Sequence, residues 1–261
     1  MGERKDAKTE SEDELWGLAY SKLVPWTVRR HHVNPADAEE MVQDAMRLFV
    51  KSGNEEGRLL RSRDCGIVNV AEHAYRSQKW RFVIAHEMGH FLRHPNDDNF
   101  EACTRGDLSN YTGTGRESEA NDFASELLMP GFLFKKKCDR NRPSLRDIVE
   151  IATDFQTSVT ATALRFVLFA PEPCAVIHST DGIVDWLDWS PNFCVGIRRG
   201  TRLNDRTYAG DLFAGKHVDD RASQVDGDAW SDSAWAADIE LFEHSRKVAP
   251  GSVLTFLWHR A

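Results

Sequence analysis

Two histidines and a glutamate lie within residues 86–90, which read His-Glu-Met-Gly-His. Side chains at positions i and i+4 lie one turn apart on the same face of a helix, so His86 and His90 can both reach one metal ion while Glu87 lies beside it. The preceding residues 80–85 are mostly apolar and contain no glycine or proline, which predicts a largely buried helix. The sequence therefore predicts a metal-binding site on a packed helix.

The residue types in this stretch fit the chemistry of a catalytic zinc ion. Neutral imidazoles bind Zn²⁺ without cancelling its charge, and a catalytic zinc typically has three protein ligands and one open position for water. A carboxylate that does not bind the metal can accept a proton from that water while the water attacks a carbonyl. We therefore predict one Zn²⁺ ion with His86 and His90 as ligands, Glu87 as the catalytic base, and a third ligand from elsewhere in the chain.

The third ligand does not follow directly in the sequence. A metzincin would have glycine at position 93 and histidine at position 96, where this chain has Arg93 and Asn96, so that subclass is excluded. His94 continues the i, i+4 series from His90 but lies about 12 Å along the helix axis from His86, too far to share one ion with it. We interpret His94 as a solvated or capping histidine at the helix C-terminus, where a cation meets the negative end of the helix dipole.

Residues 117–130 predict a second helix, which ends at Pro130. Its apolar face consists of Ala120, Phe123, Ala124, Leu127 and Leu128. At about 100° per residue, Glu117 falls within that face while Glu119 points roughly 160° away from it. Because a buried carboxylate is costly unless it is paired or binds a metal, we predict Glu117 as the third ligand and Asn121 as a residue that supports the ligands. The alternative is that Glu117 only caps the start of the helix.

Residues 81–92 and 117–130 together resemble two sequence blocks of the ImmA/IrrE family of bacterial metallo-endopeptidases, in the same order. The similarity is strong over about residues 66–132. It implies that the two histidines and Glu117 bind zinc and that Glu87 is the catalytic base. Many members of that family cleave a helix-turn-helix repressor in a stress or mobile-element switch, so the resemblance also implies a protein substrate of that kind.

Two neighbouring segments are expected to shape the site. Residues 66–70 predict a short strand before the metal-binding helix. At a sheet edge, Val68 and Val70 would pair with extended substrate backbone, and the alternative is an ordinary core strand. The long connection over residues 95–116 is rich in glycine, aspartate and asparagine, and such loops are usually functional or mobile. We predict that it forms a wall or lid of the cleft, with Tyr111 as a hydrogen-bond donor to the oxyanion.

Two other functions are compatible with the same motif. A non-catalytic zinc-containing regulator would use the metal for structure and bind protein or DNA, and a fully closed tetrahedral site would favour it. A metal-dependent hydrolase of small molecules would need a deep, enclosed pocket. An open groove beside the predicted strand would instead favour a peptide substrate.

Composition limits the partners and the compartment of the chain. With 41 acidic and 33 basic residues the net charge is −8, which argues against a broad nucleic-acid-binding surface. The five cysteines are odd in number and form no close pairs, which favours a reducing compartment, and we expect the cytoplasm. No apolar run is long enough to span a membrane. The charged residues 1–14 lack the apolar region of a signal peptide, so we predict a solvated tail there.

The predicted fold class is α+β, with a mainly helical zincin-like peptidase domain and its small sheet over residues 15–140. A helix pair over residues 141–172 and a C-terminal α+β domain over residues 173–261 follow. The helix pair resembles a helix-turn-helix, but ordinary helical packing predicts the same spacing, so we favour a substrate-docking or structural role. Some members of the family carry a small-molecule-sensor-like domain at the C-terminal position, but no residue set here identifies a ligand.

Local signals predict several individual elements. Asn34, followed by proline, predicts the start of a helix that runs to about Lys51. Ser144 and Ser158 are the predicted N-caps of the two paired helices. The pair Asp181-Gly182 predicts the type I′ turn of a hairpin. Further strands are predicted at residues 193–197, 238–242 and 252–258.

Overall fold

A computed structural model of the chain describes residues 46–51, 57–61, 66–71, 79–94, 102–103 and 115–260. The chain divides into two compact units at the boundary between Pro130 and Gly131. Both units contain helices and strands, which confirms the predicted α+β class. The domain boundaries proposed from the sequence stay predictions. Among the described residues, no helix combines the length and the apolar character needed to cross a membrane.

The first unit combines a mixed β-sheet with two helices that pack on each other. In chain order its described elements are β1 (Met46–Lys51), β2 (Gly57–Arg61), β3 (Gly66–Ala71), α1 (Trp80–Arg93), β4 (Ala102–Cys103) and α2 (Arg116–Leu128). The order of the described strands is β1-β3-β2-β4, with β1 parallel to β3 and with β2 antiparallel to both β3 and β4. Helix α1 lies against β2 and β3 and packs along α2, so the sheet and α2 together hold it in place.

The helix predicted to run to about Lys51 is wrong at its C-terminal end. Residues 46–51 form β1, which pairs with residues 66–71 of β3. The start predicted at Asn34 lies outside the described residues. A short apolar run such as Leu48-Phe49-Val50 suits a buried strand as well as one turn of a helix. Pairing with β3 decides between the two, because β-propensity depends strongly on tertiary context.

The strand predicted at residues 66–70 is confirmed as β3, and of the two alternatives, an edge strand or a core strand, the structure shows the core strand. Strand β3 is hydrogen-bonded on one side to β1 and on the other to β2. Val68 and Val70 are 1% and 0% exposed, so both side chains lie in the core. A strand that is paired on both sides leaves no row of free N–H and C=O groups for another chain. Val68 and Val70 therefore do not pair with substrate backbone.

Helices α1 and α2 approach each other closely at Gly89 and Ala120. A Cβ atom on Gly89 would lie 2.9 Å from Ala120 Cα and 3.0 Å from the Ala120 carbonyl oxygen, closer than side chains normally come. Glycine at this position therefore permits the short distance between the two helices. Val83, Ala85 and Met88 of α1 are also buried, which confirms that α1 is a packed helix.

The second unit contains a five-stranded antiparallel sheet and a group of helices. In chain order its helices and strands are α3 (Gly131–Cys138), α4 (Leu145–Phe155), α5 (Val159–Phe169), β5 (Cys174–Thr180), β6 (Ile183–Trp189), α6 (Tyr208–Phe213), β7 (Ser223–Asp226), β8 (Glu240–Ala249) and β9 (Ser252–Trp258). The strand order is β6-β5-β9-β8-β7. Helix α5 packs against β5 and β6, and the ring of Phe166 in α5 meets that of Phe256 in β9 edge to face. The helices and the sheet of this unit therefore share a core.

The predicted hairpin at Asp181-Gly182 is confirmed by β5 and β6. Asp181 has a φ of 50° and Gly182 a φ of 77°, and a type I′ turn requires positive φ at both central residues. The strand predicted at residues 252–258 is confirmed as β9. The strand predicted at residues 238–242 is confirmed only from Glu240, where β8 begins.

The strand predicted at residues 193–197 is wrong. These residues have no strand pairing, although Phe193 and Val195 are buried in the core beside the sheet. The carbonyl of Gly196 accepts a hydrogen bond from Ser231 Oγ at 2.8 Å, so a side chain satisfies this part of the backbone. A pattern of alternating apolar residues indicates which side chains face a core. It does not by itself require a strand, because here an irregular segment buries the apolar residues of the same pattern.

Serine residues precede both helices of the predicted pair. Ser144 lies before α4, and its backbone N–H and its hydroxyl both donate to Asp147 Oδ2, at 2.9 Å and 2.7 Å. Ser158 lies before α5, and its Oγ accepts a hydrogen bond from the backbone N–H of Ala161 at 3.1 Å. Both predicted N-caps are therefore confirmed.

Replacing Ser158 with alanine is expected to lower the free energy of unfolding by about 1 kcal/mol, because an N–H group in the first turn of α5 loses its acceptor. The matched control is Ser158→Asp, which keeps an acceptor at this position and is expected to retain most of the stability. Urea unfolding followed by circular dichroism measures the difference. Equal midpoints for Ser158→Ala and the wild type would show that the cap contributes no stability.

Glu243 of β8 is fully buried but has several hydrogen-bond donors around it. Its carboxylate accepts from the Ala209 backbone N–H at 2.7 Å, from Trp230 Nε1 at 2.9 Å and from Ser245 Oγ at 2.7 Å. Burial raises the pKa of the Glu243 carboxyl, and these hydrogen bonds oppose that rise. The carboxylate therefore links β8 to α6 and to the segment around Trp230.

Candidate metal centre

Helices α1 and α2 bring three possible metal ligands together. His86 and His90 lie one turn apart on α1, and Glu117 lies in the first turn of α2. His86 Nε2 lies 3.0 Å from His90 Nε2 and 3.1 Å from Glu117 Oε2, and His90 Nε2 lies 3.2 Å from Glu117 Oε1. In the described parts of the chain, this is the one group of three such residues that could hold a metal ion together.

The three side chains of the cluster differ in exposure. The side chain of His86 is 0% exposed and that of His90 is 12% exposed, whereas that of Glu117 is 33% exposed. The Glu117 Oε2 atom, which faces His86, is nevertheless buried.

Asn121 lies one turn after Glu117 on α2 and contacts the back of His86. Its Oδ1 is 2.8 Å from His86 Nδ1, and both side chains are buried. A carboxamide oxygen only accepts hydrogen bonds, so His86 Nδ1 carries the proton and Nε2 directs its lone pair into the cluster. The structure thus places Asn121 where the sequence predicts a supporting residue.

Glu117 enters the cluster as an anion. The adjacent imidazole of His86, and next that of His90, holds the pKa of the Glu117 carboxyl well below the usual range, against the opposing effect of burial. The alternative role as a helix cap has no support, because the N-cap of α2 is Gly115 and no side chain caps this helix end. An ionised carboxylate is also the form that binds a metal ion.

Glu87 follows His86 on α1 and is 1% exposed. It does not belong to the group of three possible ligands. A carboxylate that lies near a metal site without binding the metal is suited to proton transfer. Its role as the catalytic base stays a prediction.

His94 ends α1 and contacts the cluster from behind. Its Nδ1 lies 3.2 Å from His90 Nδ1, and its Nε2 lies 3.3 Å from Glu119 Oε2. The side chain is only 12% exposed, so the interpretation of His94 as a solvated residue is wrong, although it does occupy the C-cap position. Burial lowers the pKa of His94, and the hydrogen bond to Glu119 partly offsets this effect.

The contact between His94 and Glu119 was not foreseen from the sequence, although a signal for it exists. His94 lies one turn after His90 on the same helix, which predicts that the two rings are neighbours. The approach of Glu119 depends on how α1 and α2 pack, which periodicity does not report. Tyr111, the predicted oxyanion donor, lies outside the described residues.

A helix that presents two histidines one turn apart, with a carboxylate from a second helix against both, defines a metallopeptidase-like site. The family model described as the IrrE N-terminal-like domain, of the M78 peptidases, matches residues 43–167. This match confirms the resemblance carried by the two sequence blocks. The match contains the histidine pair, Glu87 and Glu117.

Comparison with solved structures shows the same fold in a distant protein. A "Mycobacterium tuberculosis transcriptional regulator" is 12% identical to this chain, with a TM-score of 0.51, and the match covers 94% of this chain and 71% of that one. At this identity the likeness concerns the fold alone. No curated protein sequence matches the chain significantly.

Proposed function

We propose that this chain is a zinc-dependent endopeptidase that hydrolyses a peptide bond in a protein substrate. We further propose that the substrate is a helix-turn-helix transcriptional repressor in a stress or mobile-element switch, and that the protein acts in the cytoplasm. The observation that carries this proposal is the convergence of His86, His90 and Glu117 at 3.0–3.2 Å. The buried Glu87 follows His86 in the chain.

The donor atoms of the cluster fit a zinc ion. His86 Nε2 presents a lone pair and Glu117 is an anion, and two electron-pair donors this close together repel each other unless a proton or a cation lies between them. Zinc binds imidazole nitrogen and carboxylate oxygen at about 2.0–2.1 Å, which places tetrahedral ligands about 3.3 Å apart. The observed separations of 3.0–3.2 Å are close to that value.

The number of ligands supports a catalytic site over a structural one. Structural zinc sites typically have four protein ligands, whereas catalytic sites have three and one open position. Three ligating groups converge here within the described residues. A purely structural zinc site is therefore the weaker alternative.

The residues around the metal have separate tasks in peptide hydrolysis. When bound, zinc supplies a Lewis acid that polarises the peptide carbonyl and lowers the pKa of water to about 7. The Glu87 carboxylate accepts the proton that the attacking water loses and delivers it to the leaving amine. Asn121 keeps His86 in the tautomer that binds metal.

Several observations support a regulatory protein substrate inside the cell. The family resemblance implies repressor cleavage, and the similar solved structure is itself named a transcriptional regulator. Cys138, Cys174 and Cys194 are free thiols, as expected in a reducing compartment. A net charge of −8 argues against direct binding of nucleic acid.

Replacing Glu117 with glutamine is expected to weaken zinc binding strongly, because it changes a proposed ligand. Loss of a residue that only supports a ligand costs roughly 10–100-fold in affinity, and the loss in Glu117→Gln is expected to be larger. The amide removes the negative charge and one of the two ligating oxygens while it keeps the side-chain shape. Competition with a chromophoric chelator measures the dissociation constant. Asp122→Asn is the matched control, because Asp122 is an exposed acid on the same helix and its replacement is expected to leave affinity unchanged. Unchanged affinity in Glu117→Gln would exclude it as a ligand.

Cleavage of a repressor tests the function itself. The zinc-loaded protein is incubated with a helix-turn-helix repressor encoded beside its gene, and mass spectrometry identifies the new termini. A chelator is expected to stop cleavage and added zinc to restore it. Cleavage that continues without metal would contradict a metallopeptidase. Salt-sensitive DNA binding that survives chelation, without any cleavage, would favour the non-catalytic regulator.

A further inference from the structure

We propose that His94 and Glu119 are positioning residues that hold the metal ligand His90 in its metal-binding tautomer and orientation. This inference rests on the metal site of the proposed function. Neither of these two side chains binds the metal itself. It also explains why His94 is nearly buried at the end of α1, where a solvated histidine would serve only as a helix cap.

The hydrogen bonds specify where the protons lie, beginning at Glu119. An ionised carboxylate only accepts, so the contact of 3.3 Å between Glu119 Oε2 and His94 Nε2 places the proton on His94 Nε2. Neutral His94 then has its lone pair on Nδ1. The contact of 3.2 Å between His94 Nδ1 and His90 Nδ1 therefore requires that His90 donates.

The contact with His94 therefore favours a proton on His90 Nδ1, which leaves His90 Nε2 with a lone pair directed into the cluster. The opposite tautomer would direct an N–H group from His90 Nε2 toward Glu117 Oε1, 3.2 Å away, and His86 Nε2, 3.0 Å away, where a metal ion has to bind. In the metal-free protein His94 and Glu117 thus favour opposite tautomers of His90. Metal binding to the tautomer protonated at Nε2 would require the proton to move first. His94 thus favours the form of His90 that binds metal.

The two histidine ligands are supported in equivalent ways by different groups. His86 donates from Nδ1 to the Asn121 carboxamide, and His90 donates from Nδ1 to the His94 ring. Groups of this kind fix the ring of a metal-binding histidine and raise its basicity. Both Asn121 and Glu119 lie on α2, so the helix that supplies the third ligand also supports both histidines.

The orientation of Glu119 is itself held in place. Arg93 Nε lies 3.5 Å from Glu119 Oε2, so the carboxylate faces a cation as well as His94. The His90 and His94 rings have centroids 5.3 Å apart and are tilted by 47°, an arrangement that leaves their Nδ1 atoms facing each other. Glu119 is half exposed, whereas His94 is mostly buried, so the effect on His90 passes chiefly through His94.

¹H–¹⁵N NMR of the metal-free wild type tests the tautomer of His90 directly. The spectra are recorded at about pH 8, where histidine is neutral. Long-range ¹H–¹⁵N correlations distinguish protonation at Nδ1 from protonation at Nε2. Because Glu117 accepts from His90 Nε2 in the metal-free protein, the expected result is that the fraction of His90 protonated at Nδ1 falls in His94→Phe. The same fraction in His94→Phe as in the wild type would overturn the inference. This measurement needs neither zinc nor activity.

Zinc affinity gives a second, independent measurement. His94→Phe is expected to weaken zinc binding about 10–100-fold, and Glu119→Ala is expected to weaken it less. His94→Gln keeps an amide oxygen that can accept from His90 and is expected to recover part of the loss. Asp122→Asn is the exposed control on α2. Wild-type affinity in His94→Phe, with its fold confirmed by circular dichroism, would overturn the inference while leaving the proposed zinc site intact. A wild type that binds no zinc would instead refute the proposed function, and the NMR result would then decide the tautomer alone.

Discussion

Replacing Glu87 with glutamine is expected to abolish peptide hydrolysis while the protein still binds zinc. The amide has nearly the same shape as the carboxylate but cannot accept the proton of the attacking water. General base catalysis contributes about 10²–10⁴-fold to a rate, so cleavage should fall at least by a factor in that range. Zinc content by elemental analysis and the rate of repressor cleavage on gels are the two measurements.

The two measurements separate the roles that Glu87 could have. Zinc is expected to stay bound because the proposed ligands are His86, His90 and Glu117, and Glu87 lies outside that group. Loss of zinc in Glu87→Gln would mean that Glu87 acts as a ligand or holds α1 in place. A cleavage rate within a few fold of the wild type would show that another group is the base. Asp122→Asn, an exposed acid-to-amide change on α2, is the control for an unspecific effect.

Replacing Gly89 with alanine is expected to disturb the metal site through the packing of α1 on α2. The new Cβ atom would lie 2.9 Å from Ala120 Cα and 3.0 Å from the Ala120 carbonyl oxygen. Because both atoms are backbone, no side-chain rotation relieves the contact, and α2 has to move away. Glu117 moves with α2, so the distance from its carboxylate to the histidines increases.

Two opposing effects determine the stability of Gly89→Ala. Alanine favours a helix interior over glycine by about 1 kcal/mol, whereas an extra methyl group in a packed contact typically costs about 1–3 kcal/mol. Backbone contacts of 2.9 and 3.0 Å place this site toward the upper end of that range, so we expect net destabilisation together with weaker zinc binding. Urea unfolding and chelator competition measure the two effects.

A second substitution tests the origin of the effect. Ala120→Gly in the Gly89→Ala background removes only the contact with the Ala120 Cβ atom at 3.3 Å and leaves the two shorter backbone contacts. Recovery is therefore expected to be small. If Gly89→Ala alone folds and binds zinc like the wild type, the close approach of the two helices has no part in forming the site.

Local periodicity predicted the parts of the site that lie on one helix. His86 and His90 share a face because they are four residues apart, and α1 is buried because the residues before them are apolar. Glu117 was identified because it lies on the apolar face of its own helix, where a carboxylate needs a partner. These inferences need only the geometry of a helix.

The errors arise where a pattern has two structural solutions. Residues 46–51 suit a helix or a buried strand, and pairing with β3 makes them a strand. Residues 66–70 suit an edge or a central strand, and the neighbours β1 and β2 make the strand central. Pairing partners distant in the chain decide such cases, and the local sequence carries little information about them.

The sequence by itself determined the resemblance to a peptidase family, the histidine pair and the residue types that a zinc peptidase requires. Only the tertiary structure decided which groups lie behind those histidines. Asn121 reaches His86, and Glu119 reaches His94 behind His90, through the contact between α1 and α2. That contact depends on the absence of a side chain at Gly89 and on the position of Ala120. A helix periodicity specifies which face a residue occupies, whereas the distance between two helices depends on the atoms packed between them.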